Sequence, residues 1–304
     1  HFTNNRSERG GAIGIRQSDD VIVTGSQIVD NRADFGGGVS IQQSDAFLLD
    51  CLVSDNQAIP PTEVGGHGGG LYVEDSDLQL TNCTIAGNSA TGFSQVTGGG
   101  LTVIGNGNMM IHNSIVRENS GLQGEDIQVG VPWESGDLMM SFSNALTSDP
   151  VRINVTNGST LTLGDGMQEA DPLFATGDNQ WLLSSTWSGS TNDSPCIDAG
   201  WEPAFSYTYL SPREIIFMSQ RTTDPGGWPD QDTVDLGWHP PTPDCEHNGD
   251  VNNDGEITFS DVQQIFWMAF DSLPINYEEI CVADLNWDGE ITMLDAQLCS
   301  YLVF

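Results

Sequence analysis

The sequence predicts a mainly β chain in which a solenoid of short parallel coils is followed by a small helical module. Three observations carry this. The string apolar-x-x-Asn recurs at Phe2–Asn5, Ile28–Asn31, Val53–Asn56, Ile85–Asn88 and Val116–Asn119, with its Asn positions 26, 25, 32 and 31 residues apart. Each copy is followed by a Gly-rich turn and an alternating strand, at Gly10–Ile15, Gly36–Ile41, Gly68–Val73 and Gly98–Val103, with a looser copy at Gly124–Val129. Near the C-terminus an acidic string repeats at an offset of 34 residues, each copy running into apolar residues at helical spacing.

A unit of this length, made of short strands and Gly, Asn and Asp turns, cannot bury a face alone and must stack on its copies. Like residues then lie over like. Asn31, Asn56, Asn88 and Asn119 are expected to form an interior ladder, and the glycines to supply a positive φ at one corner. Midway along each unit runs a second strand, at Val21–Val23, Ala46–Leu48, Leu78–Leu80 and Met109–Ile111, leading to a small inward position held by Ser26, Cys51, Cys83 and Ser114. Cys51 and Cys83 read as core thiols in neighbouring coils, close enough in register for a disulfide. Longer turns at Ile59–His67 and Thr91–Thr97 account for the two longer repeats.

Period-2 alternation also separates the outward columns. That of the Gly-led strands is Gly14, Ser40, Tyr72, Thr102 and Gln128, which holds no acid or base. Arg16, Glu74, Asp75 and Asp77 lie just past the strand ends, where such groups are ordinarily solvated. The histidines (1, 67, 112, 239 and 247) form no motif with a serine nucleophile, and no Cys or His pair has zinc-ligand spacing. No residue is assigned a catalytic role. The other outward column, Ile22, Phe47, Gln79 and Met110 with Leu49 one step along, is mostly apolar and calls for a cover. That cover is either the less regular segment 138–238 or another subunit. The Trp residues of that segment (181, 187, 201, 228 and 238) suit either the cover or stacking on sugar rings.

Beyond the proline-rich stretch His239–Pro243 the chain changes character. Asp250-Val-Asn252-Asn-Asp254-Gly255-Glu256-Ile-Thr-Phe259-Ser260-Asp261 recurs as Asp284-Leu-Asn286-Trp-Asp288-Gly289-Glu290-Ile-Thr-Met293-Leu294-Asp295. Alternate side chains at the first, third and fifth positions aim oxygens at one centre, the seventh offers its carbonyl, and Gly at the sixth allows the sharp turn. Carboxylate and amide oxygens without Cys or His select calcium. Two ions are expected, one on Asp250, Asn252, Asp254, Asp261 and the Glu256 carbonyl, the other on Asp284, Asn286, Asp288, Asp295 and the Glu290 carbonyl. The helices are expected over Asp261–Phe270 and Asp295–Phe304. The domain reading is a β-helix over 1–238 with an irregular closing part from about 138, a linker over 239–244 and a calcium module over 245–304.

Composition narrows the partners. Acidic residues number 43 against 8 basic ones, for a formal charge of −35. Such a polyanion disfavours nucleic acid and anionic lipid and favours divalent cations. No apolar run approaches the ~18 residues of a membrane span. The chain opens at His1 inside a repeat already under way, which predicts a signal peptide and earlier repeats upstream. Six Cys are compatible with an oxidising compartment, and five sequons (Asn5, Asn82, Asn154, Asn157 and Asn192) permit glycosylation.

The first half resembles right-handed parallel β-helix repeats of the polymorphic outer-membrane-protein type, whose GGAI and FxxN motifs stand here as Gly10–Ile13 and Phe2–Asn5. The resemblance continues through Asp171–Phe174, Ser194–Gly200 and Val234–Gly237, which look like the closing segment of secreted bacterial β-helix proteins. The duplicated loops, with Asp at the twelfth position and no helix pattern before the first, resemble type I dockerins. That resemblance implies a cohesin partner bound through the tenth and eleventh loop positions, here Phe259, Ser260, Met293 and Leu294, and an extracellular location. The coil itself is shared by lyases, hydrolases, adhesins and inert fibres. The expectation is a secreted, non-catalytic protein of the cell surface or matrix. It would assemble with copies of itself into a fibre or surface layer and dock through calcium-loaded loops. The alternatives are a carbohydrate-active enzyme or sugar-binding module of a cellulosome-like complex, in contact with polysaccharide, and an adhesin.

Overall fold

The computed structural model describes residues 1–304 except 61–65, 93–97, 157, 178–179, 187, 202–207, 211–214, 218–220, 226–229, 231–232, 241–248, 253–254, 270–281, 284, 286–290, 292 and 304. Among the described residues four parallel sheets run along the solenoid, the smallest of them pairing Arg32–Ala33, Gln57–Ala58 and Ser89–Ala90. The Gly-led sheet contains Ile13–Arg16, Val39–Gln42, Leu71–Glu74, Leu101–Ile104, Ile127–Val129 and Ile153–Val155. The middle sheet contains Val21–Thr24, Asp45–Leu49, Asp77–Thr81, Met109–His112, Asp137–Ser141 and Thr160–Leu163. The Asn sheet contains Phe2–Thr3, Gln27–Val29, Leu52–Ser54, Thr84–Ala86 and Ile115–Arg117. Registers match the repeat without slippage, Leu71 pairing with Val39 and Leu101, and Ile85 with Val53 and Val116.

The coil closes because each strand ends on a residue that tolerates the left-handed region. Gln17, Gln43, Asp75 and Gly105 end Gly-led strands, Gly25, Asp50, Asn82 and Asn113 end middle strands, and Asp30, Asp55, Gly87 and Glu118 end Asn strands, all at positive φ. The fourth bend is the glycine corner at Gly36, Gly68 and Gly98, with φ of 62, 64 and 60°. Coils approach too closely there for a side chain, since a Cβ on Gly69 would lie 2.2 Å from the Gly99 carbonyl oxygen.

Inside, Ile28, Ile41, Leu48, Leu71, Leu80, Ile85, Leu101 and Ile111 stack in one core. The Asn ladder runs through it as expected. Each amide nitrogen donates to the next Oδ1, from Asn31 to Asn56, Asn56 to Asn88 and Asn88 to Asn119, at 3.0 Å. Asn119 ends the column by donating to Asp126 Oδ1 at 3.0 Å. A serine ladder unread in the sequence occupies another corner, Ser18 N–H donating to Ser44 Oγ and Ser44 N–H to Ser76 Oγ. Cys51 and Cys83 are buried free thiols.

Three expectations need correction. The regular coil does not stop at 138, because the strands at 137–141, 153–155 and 160–163 continue both sheets without Gly-led motifs to announce them. The closing segment covers a different face from the one expected. Trp181, Leu182 and Trp238 pack on Leu52 and Ala86, and Leu183, Cys196 and Leu236 on Ile115, all on the outside of the Asn sheet. Trp181 Nε1 donates to Asp55 Oδ2 at 3.0 Å and Trp238 N to Thr84 Oγ1 at 2.9 Å. Finally, His239 and Pro240 belong to the β-helix and not to a linker. His239 N donates to Asp50 Oδ1 at 2.7 Å, and the Pro240 carbonyl accepts from Thr222 N at 3.1 Å.

Candidate metal centre and docking surfaces

In the C-terminal module, helix α1 spans Phe259–Met268 and helix α2 spans Met293–Leu302. Both begin two residues before the sequence-based positions. Thr258 is the reason in α1, since its extended backbone and hydroxyl form a capping box with Asp261, satisfying amides that the first turn leaves free. Ile265, Ala283, Ala296 and Cys299 make the small core, with Val251, Ile257, Val262, Leu285 and Ile291 at its edge.

The first loop is partly described. Gly255 turns at a φ of 87° and donates its N–H to Asp250 Oδ2 at 2.8 Å. Asp261 is fully buried, its Oδ1 accepting from Asn252 N at 3.2 Å and its Oδ2 from Thr258 N at 2.9 Å and the Thr258 hydroxyl at 3.0 Å. Burial opposes its ionisation, yet these donors outweigh burial and hold its carboxyl below the ordinary value. Asp261 is therefore an ionised oxygen donor fixed in place, facing a loop that carries Asp250, Asn252 and the exposed Glu256. Asp295 is likewise buried and accepts from Leu285 N at 3.0 Å. Asp254, Asp284, Asn286, Asp288 and Glu290 lie outside the described residues. This all-oxygen donor set, with an ionised twelfth position and a glycine turn, fits calcium.

The four residues read as a docking surface stand at the helix starts. Phe259 is 62% exposed, Met293 48% and Leu294 50%, and Ser260 is exposed too. The sequence reading did not include Phe266 and Trp267 in this surface. Both are exposed and meet edge to face at 5.8 Å, continuing the Phe259 stripe along α1. Spacing of 7 and 8 residues from Phe259 carried the signal.

On the solenoid, the apolar outer column of the middle sheet is partly exposed. Ile22, Phe47 and Gln79 are half-buried, while Met110 is 38% exposed and Met139, which extends the column, 40%. Leu49 differs, being 6% exposed beside the corner that residues 237–239 cross, so it does not belong to the open strip. The Gly-led column holds no acid or base, but neither is it a surface, since Ser40, Tyr72, Thr102 and Gln128 are all buried. Tyr72 packs with Ile104 and Val131, and Phe35, stacked on His67 at 5.5 Å, covers it. Trp133 meets His67 edge-on, and Arg9 lies over Phe35 while pairing with Glu74 at 3.7 Å. Asn82 is fully buried in its bend, which closes that sequon to a glycan in the folded chain.

Burial lowers the His67 pKa to about 4. As pH falls below the ordinary 6.5 the unfolded chain takes up a proton that the folded chain refuses, so stability declines until about pH 4. Between about pH 7 and pH 5 the loss should be roughly 2 kcal/mol. Urea melts of the parent and His67→Phe at both pH values check this. An equal loss in the two chains would show that His67 is not its source.

Residues 1–108 match the family model described as the right handed beta helix region, and residues 248–300 match that of the dockerin type I domain. No curated protein and no solved structure matches the chain. The chain is thus a right-handed parallel β-helix carrying a type I dockerin domain at its C-terminal end. Dockerin type I domains bind calcium and dock to cohesins in extracellular complexes. Among the described residues no helix is long and apolar enough to cross a membrane.

Proposed function

We propose that this chain is a secreted, non-catalytic structural protein of the cell surface or extracellular matrix. Two calcium ions load its dockerin, one on Asp250, Asn252, Asp254, Asp261 and the Glu256 carbonyl, the other on Asp284, Asn286, Asp288, Asp295 and the Glu290 carbonyl. The loaded domain presents Phe259, Ser260, Met293 and Leu294 to a cohesin, and the β-helix associates with copies of itself through the middle sheet. The observation that carries the self-association is the partly exposed column of Ile22, Phe47, Met110 and Met139, while the described residues Trp181, Leu182 and Trp238 of the closing segment pack on the adjoining sheet. Burying one such side chain contributes roughly 1.5–3 kcal/mol, so several in register favour association.

Phe47→Glu with Met110→Glu should leave the melting temperature of the single chain unchanged and abolish its assembly, measured by sedimentation and electron microscopy. Assembly that persists in this variant rules the strip out as the contact. One observation favours the rival reading of a carbohydrate-active module. Trp133 is exposed beside Glu134, whose pKa is raised by burial and by the charges of Asp75 and Glu74. Depolymerisation of pectin by the purified chain, lost in Glu134→Gln, would establish that reading instead.

A further inference from the structure

The end of the closing segment gathers three ligand-type side chains away from both the dockerin and the open strip. Asp230, Asp235 and His239 each offer a donor atom, and those atoms lie within 4.8 Å of one another. All three residues are buried. Each carboxylate is aimed by groups outside the trio or by main chain. Asp235 Oδ1 accepts from Asp198 N at 2.7 Å, Asp235 Oδ2 from the Thr223 hydroxyl, and Asp230 Oδ2 from Asp235 N at 2.9 Å.

The imidazole sets this trio apart from an ordinary acidic cluster. His239 Nδ1 lies 2.8 Å from the Gly237 carbonyl, which can only accept, so Nδ1 carries a proton. Nε2 is thereby turned toward Asp230 Oδ2, 3.1 Å away. A metal-bound histidine is held in this way, with its second nitrogen anchored on a carbonyl. The separation also fits, because ligand atoms about 2.1 Å from a four-coordinate metal stand roughly 3.4 Å apart. Charge points the same way. Arg221 pairs with Asp50 at 3.1 Å, so among the described residues two buried carboxylates face one imidazole. A divalent cation would neutralise both while the imidazole stays neutral, where burial otherwise makes paired anions costly.

We propose that Asp230, Asp235 and His239 form a buried three-ligand site, its fourth position taken by water, for a divalent transition metal of the zinc class. A nitrogen ligand with two carboxylates suits such an ion better than calcium, and complete burial suits a structural role. Because His239 N also donates to Asp50 Oδ1, the ion locks the end of the closing segment onto the coil.

The test uses the full chain, purified without chelator and kept in excess calcium so that the dockerin loops are filled. Zinc retained after gel filtration is measured by plasma mass spectrometry, and cobalt loading by visible absorption. One zinc per chain and a four-coordinate cobalt spectrum are expected, both lost in Asp235→Asn with His239→Gln. Zinc retained equally by that double variant overturns the proposal, as does a parent chain that retains none. Should the variant not fold, ¹⁵N shifts of the parent's His239 decide. A zinc-shifted Nε2 supports the site, and two protonated ring nitrogens in the presence of zinc identify a plain imidazolium ion pair and overturn it.

Discussion

Stripping calcium from the native chain is expected to unfold the dockerin and leave the β-helix intact, so that helical circular dichroism is lost and the β signal remains. The physical reason is the size of the module's core. The two loops and two helices form a domain too short to be held by apolar burial alone, so a bound cation is expected to supply the rest; its described core is Ile265, Ala283, Ala296 and Cys299. Two substitutions at this helix start should differ in severity. Asp261→Ala removes a buried carboxylate of the proposed calcium site and orphans the amides of Asn252 and Thr258, and should abolish folding of this half at moderate calcium. Thr258→Ala removes the capping hydroxyl and with it one donor to Asp261 Oδ2, leaves the Thr258 N–H bond to that oxygen, costs about 1 kcal/mol and should keep the ion. Calorimetry on the parent should count two ions per chain. A single ion, or helices that survive chelation, would refute the assignment of both loops as calcium sites.

The features legible in the sequence are those that repeat. The Asn ladder, the glycine corner and the duplicated acidic loops each recur at fixed offsets, and stacking turns recurrence into contact. The coil beyond residue 138 was missed because Ile153–Val155 lacks the Gly-led motif of the sheet it joins, and Asp137–Ser141 and Thr160–Leu163 are recognisable only by pairing. The covered face was misjudged for a related reason. Leu52, Ala86 and Ile115 are separated by polar neighbours and do not read as a stripe, whereas Ile22, Phe47 and Met110 do. His239 looked like the start of a proline-rich linker, because its partners Asp50 and Asp230 sit 189 and 9 residues away and no local pattern joins them. The start of α1 lies earlier because a capping threonine decides a terminus more strongly than the first charged residue does.

Asn88→Ala is expected to be among the most damaging single changes in the β-helix. The Asn88 side chain donates to the carbonyls of Val53 at 2.8 Å and Ala86 at 3.1 Å and to Asn119 Oδ1 at 3.0 Å, while its own Oδ1 accepts both the backbone and side-chain N–H of Asn56. Truncation leaves the Asn56 amide and the Val53 carbonyl without these partners in a site closed to water. Each orphaned group costs about 1–3 kcal/mol, so a loss of roughly 3–5 kcal/mol follows once both are counted. Asn5 stands at the other end of the same ladder, is exposed, and donates to Asn31 Oδ1 at 2.9 Å. Water replaces that bond, so Asn5→Ala should cost less than about 1 kcal/mol. Chemical denaturation of the two variants in excess calcium, followed by Trp fluorescence, measures the difference. Equal losses would mean that the ladder is not an interior network and that the stacked core alone holds the coils in register.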